Sequence, residues 1–167
     1  QGIFDDFVAL GWRGDYQSFH DANMEMGNKI YHNVSITPGT DDLIRYLSSQ
    51  KFEIGVVSSS PLEWVEQLTS RLKTKSKISL ILSVNNHETL RPKPSPDPYL
   101  YAMKSAGVEP EKTIILEDSL TGVTAAKAAG ATTICFTGHN HGHRWQIMPN
   151  NADFYAQALI AAVMNRT

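Results

Sequence analysis

The sequence has one cysteine, Cys135, in 167 residues, which excludes an internal disulfide framework and suits a reducing compartment. It has no apolar run near the ~20 residues that a membrane-spanning helix requires, and no secretory leader pattern at its start. A large charge of one sign is missing as well, since 15 Lys+Arg against 17 Asp+Glu leave a formal charge of −2. That balance argues against a surface built to grip nucleic acid or an anionic membrane. Disorder is excluded too, because 41% hydrophobic and 19% charged residues make a chain that can bury a core. Its length suits one domain with a small appendage. Together these features predict a cytoplasmic protein with no nucleic-acid partner and no membrane partner. The sequence begins at Gln1 rather than Met, from which we expect it to lack its native start.

What is present is an alternation of elements. Short apolar runs rich in β-branched residues at 53–57, 78–84, 113–116 and 132–136 predict strands. Each is apolar on both faces, as in a sheet covered by helices on both sides. Helical spacing fills the intervals. Residues 41–49 carry Leu43, Ile44 and Leu47 after the Pro38-Gly39 turn, with Thr40 placed to cap. Residues 61–73 put Val65, Leu68 and Leu72 on one face, with Ser60 as the expected N-cap and Pro61 first. Residues 97–106 begin with Asp97 capping Pro98 and stop at Gly107, while the small-residue stretch 121–129 stops at Gly130. The alternation predicts βαβ units in a doubly wound parallel sheet of α/β class. Residues 1 to about 33 lack any β-branched run and read as helical material set apart.

Ligands of open parallel sheets bind beyond the carboxyl ends of the strands. Three segments can bring polar groups there. The first strand runs into Ser58-Ser59-Ser60 just before a helix, where hydroxyls and free N–H groups suit a phosphate, although a helix cap and two loop residues explain the same pattern. The third ends in Glu117-Asp118. Adjacent carboxylates there call for a cation such as Mg2+, or they simply favour a helix dipole. Lys93 lies among Pro92, Pro94, Pro96 and Pro98, a rigid setting that pins an ammonium able to neutralise phosphate and carboxylates, where a loop lysine is ordinarily just solvated. The histidines at 139, 141 and 143 match no standard zinc spacing. Cys135 reads as a small buried hydrophobe. There is no Walker-type loop and no G-x-S-x-G elbow.

Taken together, Val56-Val57-Ser58-Ser59-Ser60, then Lys93-Pro94-Ser95-Pro96-Asp97, then Ile115-Leu116-Glu117-Asp118-Ser119-Leu120-Thr121-Gly122-Val123 with Ala125-Ala126-Lys127-Ala128-Ala129-Gly130 resemble the second, third and fourth motifs of the haloacid dehalogenase-like hydrolases. The similarity is to their β-phosphoglucomutase-like phosphatase branch. Thr37-Pro38-Gly39-Thr40 resembles the approach from cap to core. The resemblance covers about residues 36 to 138, and three motifs in order are far more specific than any one. It implies a Rossmann-like core over residues 36–167 and a partial helical cap over 1–35. It implies phosphoryl transfer to an aspartate nucleophile with Mg2+ as cofactor. Ser58 and Ser59 would bind the phosphate with Lys93, Ser58 and Lys93 would serve catalysis, and Glu117 and Asp118 would hold Mg2+ directly or through its waters. Such chemistry depends on charge neutralisation and in-line positioning.

The family's first motif, a strand ending in Asp-x-Asp-Gly-Thr that supplies the nucleophile, is absent. Ile3-Phe4-Asp5-Asp6-Phe7 is no substitute, because its acids are adjacent, no Gly-Thr follows and no full strand precedes. Three expectations follow. The intact parent acts on small phosphorylated metabolites such as sugar phosphates. This chain alone is inactive, because the covalent route needs a nucleophile. The strands flanking the missing one close up, or strand exchange or dimerisation supplies a segment, or the sequence omits residues, and an unfilled gap between the Ser58 and Glu117 strands would count against all three. A phosphomutase of the same branch is the nearest rival. A non-catalytic member that binds a phosphorylated ligand or a partner is the rival from another class. The coding sequence upstream of Gln1 discriminates most cheaply.

Overall fold

A computed structural model describes residues 2–136 and 154–155 of the chain. The His139, His141 and His143 loop lies outside the described residues. Two helices come first, α1 (Gly2–Ala9) and α2 (Tyr16–Asn33). Asp15 caps α2 by accepting the Ser18 N–H at 2.8 Å. Helix α1 folds back on α2 around Phe19, whose ring lies 5.4, 5.1 and 5.7 Å from those of Phe4, Phe7 and Trp12. Phe19 is therefore core of this helical pair, whereas Met26 further along α2 is 58% exposed. Asp5 and Asp6 lie on α1 and not at a strand end, so they cannot stand in for the missing motif.

The alternating part follows as α3 (Thr40–Ser49), β1 (Ile54–Ser58), α4 (Leu62–Ser70), β2 (Ile78–Ser83), α5 (Asp97–Ala106), β3 (Ile114–Glu117), α6 (Leu120–Ala128), β4 (Thr132–Cys135) and β5 (Phe154–Tyr155). Among the described residues every pairing is parallel: Ser58 sits opposite Ser83, and Glu117 opposite Cys135. The expected α/β class with a parallel sheet is thus present, and the strand positions differ from expectation by a residue or so. The capping differs more. Thr40 does not cap α3 but is its first residue, after Gly39, and its hydroxyl donates back to Thr37 O at 2.7 Å. Helix α4 begins after Pro61, not Ser60. Its first N–H, from Leu62, is taken at 2.8 Å by Asn86 Oδ1 from the short turn after β2. A cap supplied across 24 residues is invisible to local pattern, and it releases the Ser60 hydroxyl for another partner.

The sheet is in two pieces, β1-β2 and β3-β4-β5. Among the described residues β1 and β3 share no pairing. Among the described residues the strands do not close up, which corrects that expectation, and the gap between the Ser58 and Glu117 strands counts against the other two alternatives as well. Helix α5 joins the two pieces instead. Its Tyr99 and Met103 pack with Ile115 and the alanines of α6, and Val57 of β1 packs on the same cluster. The other face of β3 departs from a fully covered sheet, since Ile114 and Leu116 remain 50% and 46% exposed.

Candidate functional site

The candidate site lies at the carboxyl ends of β1 and β3. Lys93 arrives on the proline-framed loop before α5, across a cis Lys93–Pro94 peptide. The loop is closed by a two-pronged pair, Arg91 Nε and Nη2 donating to Asp97 Oδ2 and Oδ1 at 2.8 and 2.9 Å, geometry that fixes orientation as well as distance. The guanidinium holds the Asp97 carboxyl well below the usual range.

Lys93 is buried, with 8% of its side chain exposed. Its ammonium donates to Val57 O at the end of β1, 3.2 Å away, and to Glu117 Oε1 at the end of β3. It also lies 4.8 Å from the Tyr99 ring centre, over the ring. An ammonium carries three N–H groups, so one remains for an incoming anion. Ser58, one residue beyond Val57, is half-buried and accepts the Ser60 N–H at 3.1 Å. That bond occupies a lone pair of Ser58 Oγ and leaves its own proton to donate outward. Ser59 is exposed in the same loop.

Glu117 is saturated with donors. Its Oε1 accepts from Lys93 and from the Tyr99 hydroxyl; its Oε2 accepts from the Ser119 hydroxyl at 3.1 Å and faces the N–H groups of Asp118 and Ser119. Burial would raise its pKa, but the charge of Lys93 and the bonds from Lys93, Tyr99 and Ser119 outweigh it and hold the carboxyl below its ordinary value. The carboxylate fits against α6 because residue 122 is glycine, since a Cβ there would lie 2.0 Å from Glu117 Oε2. The Tyr99 hydroxyl is pushed up by burial and by Glu117, so it stays protonated and donates. Cys135 is fully buried, and desolvation together with the Asp118 and Glu117 charges raises its thiol, which suits packing and not nucleophilic work.

Asp118, by contrast, is exposed. Among the described residues no group of three His, Cys, Asp or Glu side chains is arranged to hold a metal. The donor set still fits Mg2+ in one manner: this ion keeps several waters and is commonly held by one or two carboxylates plus substrate phosphate oxygens. Asp118 offers open oxygens for that role, whereas Glu117 is engaged by the ammonium and can act only from behind it. The structure thus joins Lys93 to Glu117, with Asp118 next in chain, and makes the two acids unequal; Ser58 follows Val57, whose carbonyl accepts from Lys93. Sequence reasoning missed Tyr99, Asn86 and the Arg91–Asp97 clasp. Asn86 had a signal, being a polar residue just past a strand's carboxyl end.

Parallel strands with a hydroxyl, a buried ammonium and acids at their carboxyl ends define an α/β protein of the kind whose ligands bind beyond those ends. A profile of the haloacid dehalogenase-like hydrolases matches residues 7–136. The chain belongs to that family. It is similar to a phosphoglycolate phosphatase of Pseudomonas putida, 33% identical over 144 residues, 80% of this chain and 52% of the relative. Among solved structures it is similar to a putative β-phosphoglucomutase from Thermotoga maritima, with TM-score 0.74, 20% identity, and coverage of 96% of this chain and 74% of that one. It is also similar to CbbY from Rhodobacter sphaeroides in complex with phosphate, with TM-score 0.71, 27% identity, and coverage of 87% and 67%. The chain spans about half the length of the curated relatives it matches. Among the described residues no helix is long and apolar enough to cross a membrane.

Proposed function

We propose that this chain is the phosphate-binding part of a Mg2+-dependent phosphatase for small phosphorylated metabolites such as sugar phosphates, cytoplasmic, with residues 1–35 as a partial cap on the core. The observation that carries the reading is Lys93, buried between Val57 O and Glu117 with one N–H left over. The phosphate complex of CbbY and the phosphatase name of the Pseudomonas putida relative support the substrate class.

Ser58 Oγ donates to a phosphoryl oxygen, while Lys93 neutralises its charge without a proton leaving the ammonium. Glu117 balances Lys93 while the phosphate site is empty, so no buried charge is left uncompensated. Asp118 would hold the Mg2+, which supplies further neutralisation of the phosphate oxygens. The Asp-x-Asp-Gly-Thr motif that supplies the nucleophile is missing from this sequence. The chain alone therefore binds phosphate and does not hydrolyse esters, and the absence of the Asp-x-Asp-Gly-Thr motif also favours a second reading, a non-catalytic binder of phosphorylated ligands.

Titration of the 167-residue chain with inorganic phosphate tests the site. Saturable binding that weakens in Ser58→Ala is expected, and no binding by the parent chain overturns the reading. p-Nitrophenyl phosphate tests the inactivity. Mg2+-dependent turnover by contaminant-free protein would overturn it.

A further inference from the structure

The Ser60 hydroxyl, released from capping by Asn86, pairs at 2.7 Å with the hydroxyl of Tyr31 on α2. Each polar atom of Ser60 then has its own partner. Its N–H donates to Ser58 Oγ at 3.1 Å, its carbonyl accepts from Ser83 Oγ at 2.7 Å, and its hydroxyl meets Tyr31. Only the last comes from outside the α/β core. Tyr31 is itself held in place: its ring stacks on Trp64 of α4 at 5.1 Å and 24°, and its carbonyl accepts from Arg71 Nη1 at 3.1 Å. One helical turn earlier, Gly27 lies so close to Trp64 that a Cβ would stand 1.9 Å from the indole. Beside it, Asn28 Oδ1 accepts the Trp64 Nε1–H at 2.9 Å. Residues 27, 28 and 31 share one face of α2, and that face is clasped to α4.

We propose that Tyr31 is a positioning residue for the phosphate loop, setting the orientation of Ser58 through Ser60, so that the place of α2 is read by the loop. The inference rests on the reading of Ser58 and Lys93 as the phosphate site. The chain of cause is short. The Tyr31 hydroxyl fixes Ser60; the Ser60 N–H fixes the lone pair of Ser58 Oγ; the remaining Ser58 proton then points where an anion arrives. Without the Tyr31 hydroxyl the ring still stacks on Trp64, so the fold is retained while the serine loop gains freedom.

Tyr31→Phe tests this, with inorganic phosphate as the probe and isothermal titration as the readout. Phosphate affinity is expected to fall about 3- to 10-fold, the range for one lost hydrogen bond, with the urea midpoint little changed. Ser60→Ala is expected to do the same, and the double variant to do no more than either alone, because both remove one connection. Asn28→Ala, which loosens Trp64 but spares the hydroxyl pair, is expected to lower stability and to reduce phosphate affinity less than Tyr31→Phe does; a larger loss of affinity than in Tyr31→Phe overturns the proposal. An unchanged affinity in Tyr31→Phe, or additive losses in the double variant, overturns the proposal. If the parent chain binds no phosphate, the site reading fails, and amide exchange at residues 58–60 then decides the positioning role. Faster exchange in Tyr31→Phe supports it, and equal exchange overturns it.

Discussion

Replacing Lys93 with methionine removes an ammonium and leaves the Glu117 carboxylate in place. Both side chains are 8% exposed, so water cannot take over the lost charge. Breaking a buried pair from one side costs about 3–5 kcal/mol. Here the Tyr99 and Ser119 hydroxyls and two backbone amides still face the carboxylate, which places the loss near the lower end, about 3 kcal/mol. With a urea slope of about 2 kcal/mol/M, the unfolding midpoint falls by about 1.5 M at neutral pH.

The pH dependence has a definite sign. In the parent chain Glu117 is held below its ordinary pKa, so the stabilisation it contributes is complete above the unfolded carboxylate value. It is lost as pH falls through the folded one. In Lys93→Met burial acts without the ammonium and raises Glu117, so lowering the pH neutralises the buried charge and relieves the variant. The difference between the two proteins therefore narrows on acidification. Urea titrations followed by circular dichroism at a series of pH values measure it. A midpoint equal to the parent's at neutral pH, or a difference that widens toward acid, refutes the charge-pair reasoning. Adding Glu117→Gln to Lys93→Met is expected to restore part of the loss, since the amide removes the uncompensated charge; a further loss would refute it as well.

Two further predictions concern neighbours of the site. Gly122→Ala drives a methyl to within 2.0 Å of Glu117 Oε2 and is expected to cost about 1–3 kcal/mol, as overpacking does, read as a lowered urea midpoint. Asn86→Ala deprives the Leu62 N–H of its acceptor and is expected to cost about 1 kcal/mol, as lost helix caps do, measured in the same way.

The sequence was enough, before any coordinates, to place the strands and helices of residues 40–135, because apolar β-branched runs and turn residues act over a few positions. The end of Asp97–Ala106 was legible, since Gly107 stops it in the left-handed conformation, but its cap was not: Pro96 and not Asp97 occupies the N-cap position, and the Asp97 carboxylate is taken by Arg91. The order of Ser58, Lys93 and Glu117-Asp118 along the chain was legible too, because each sits at a strand end or in a rigid loop. Tertiary structure alone decided which carboxylate answers Lys93, that Asn86 and not Ser60 caps α4, and that Tyr31 meets Ser60. Each of those outcomes depends on side chains 24 to 29 residues apart arriving within hydrogen-bond reach. Local propensity acts through neighbours in the chain and carries no information about such distances; packing of the helices on the sheet supplies it.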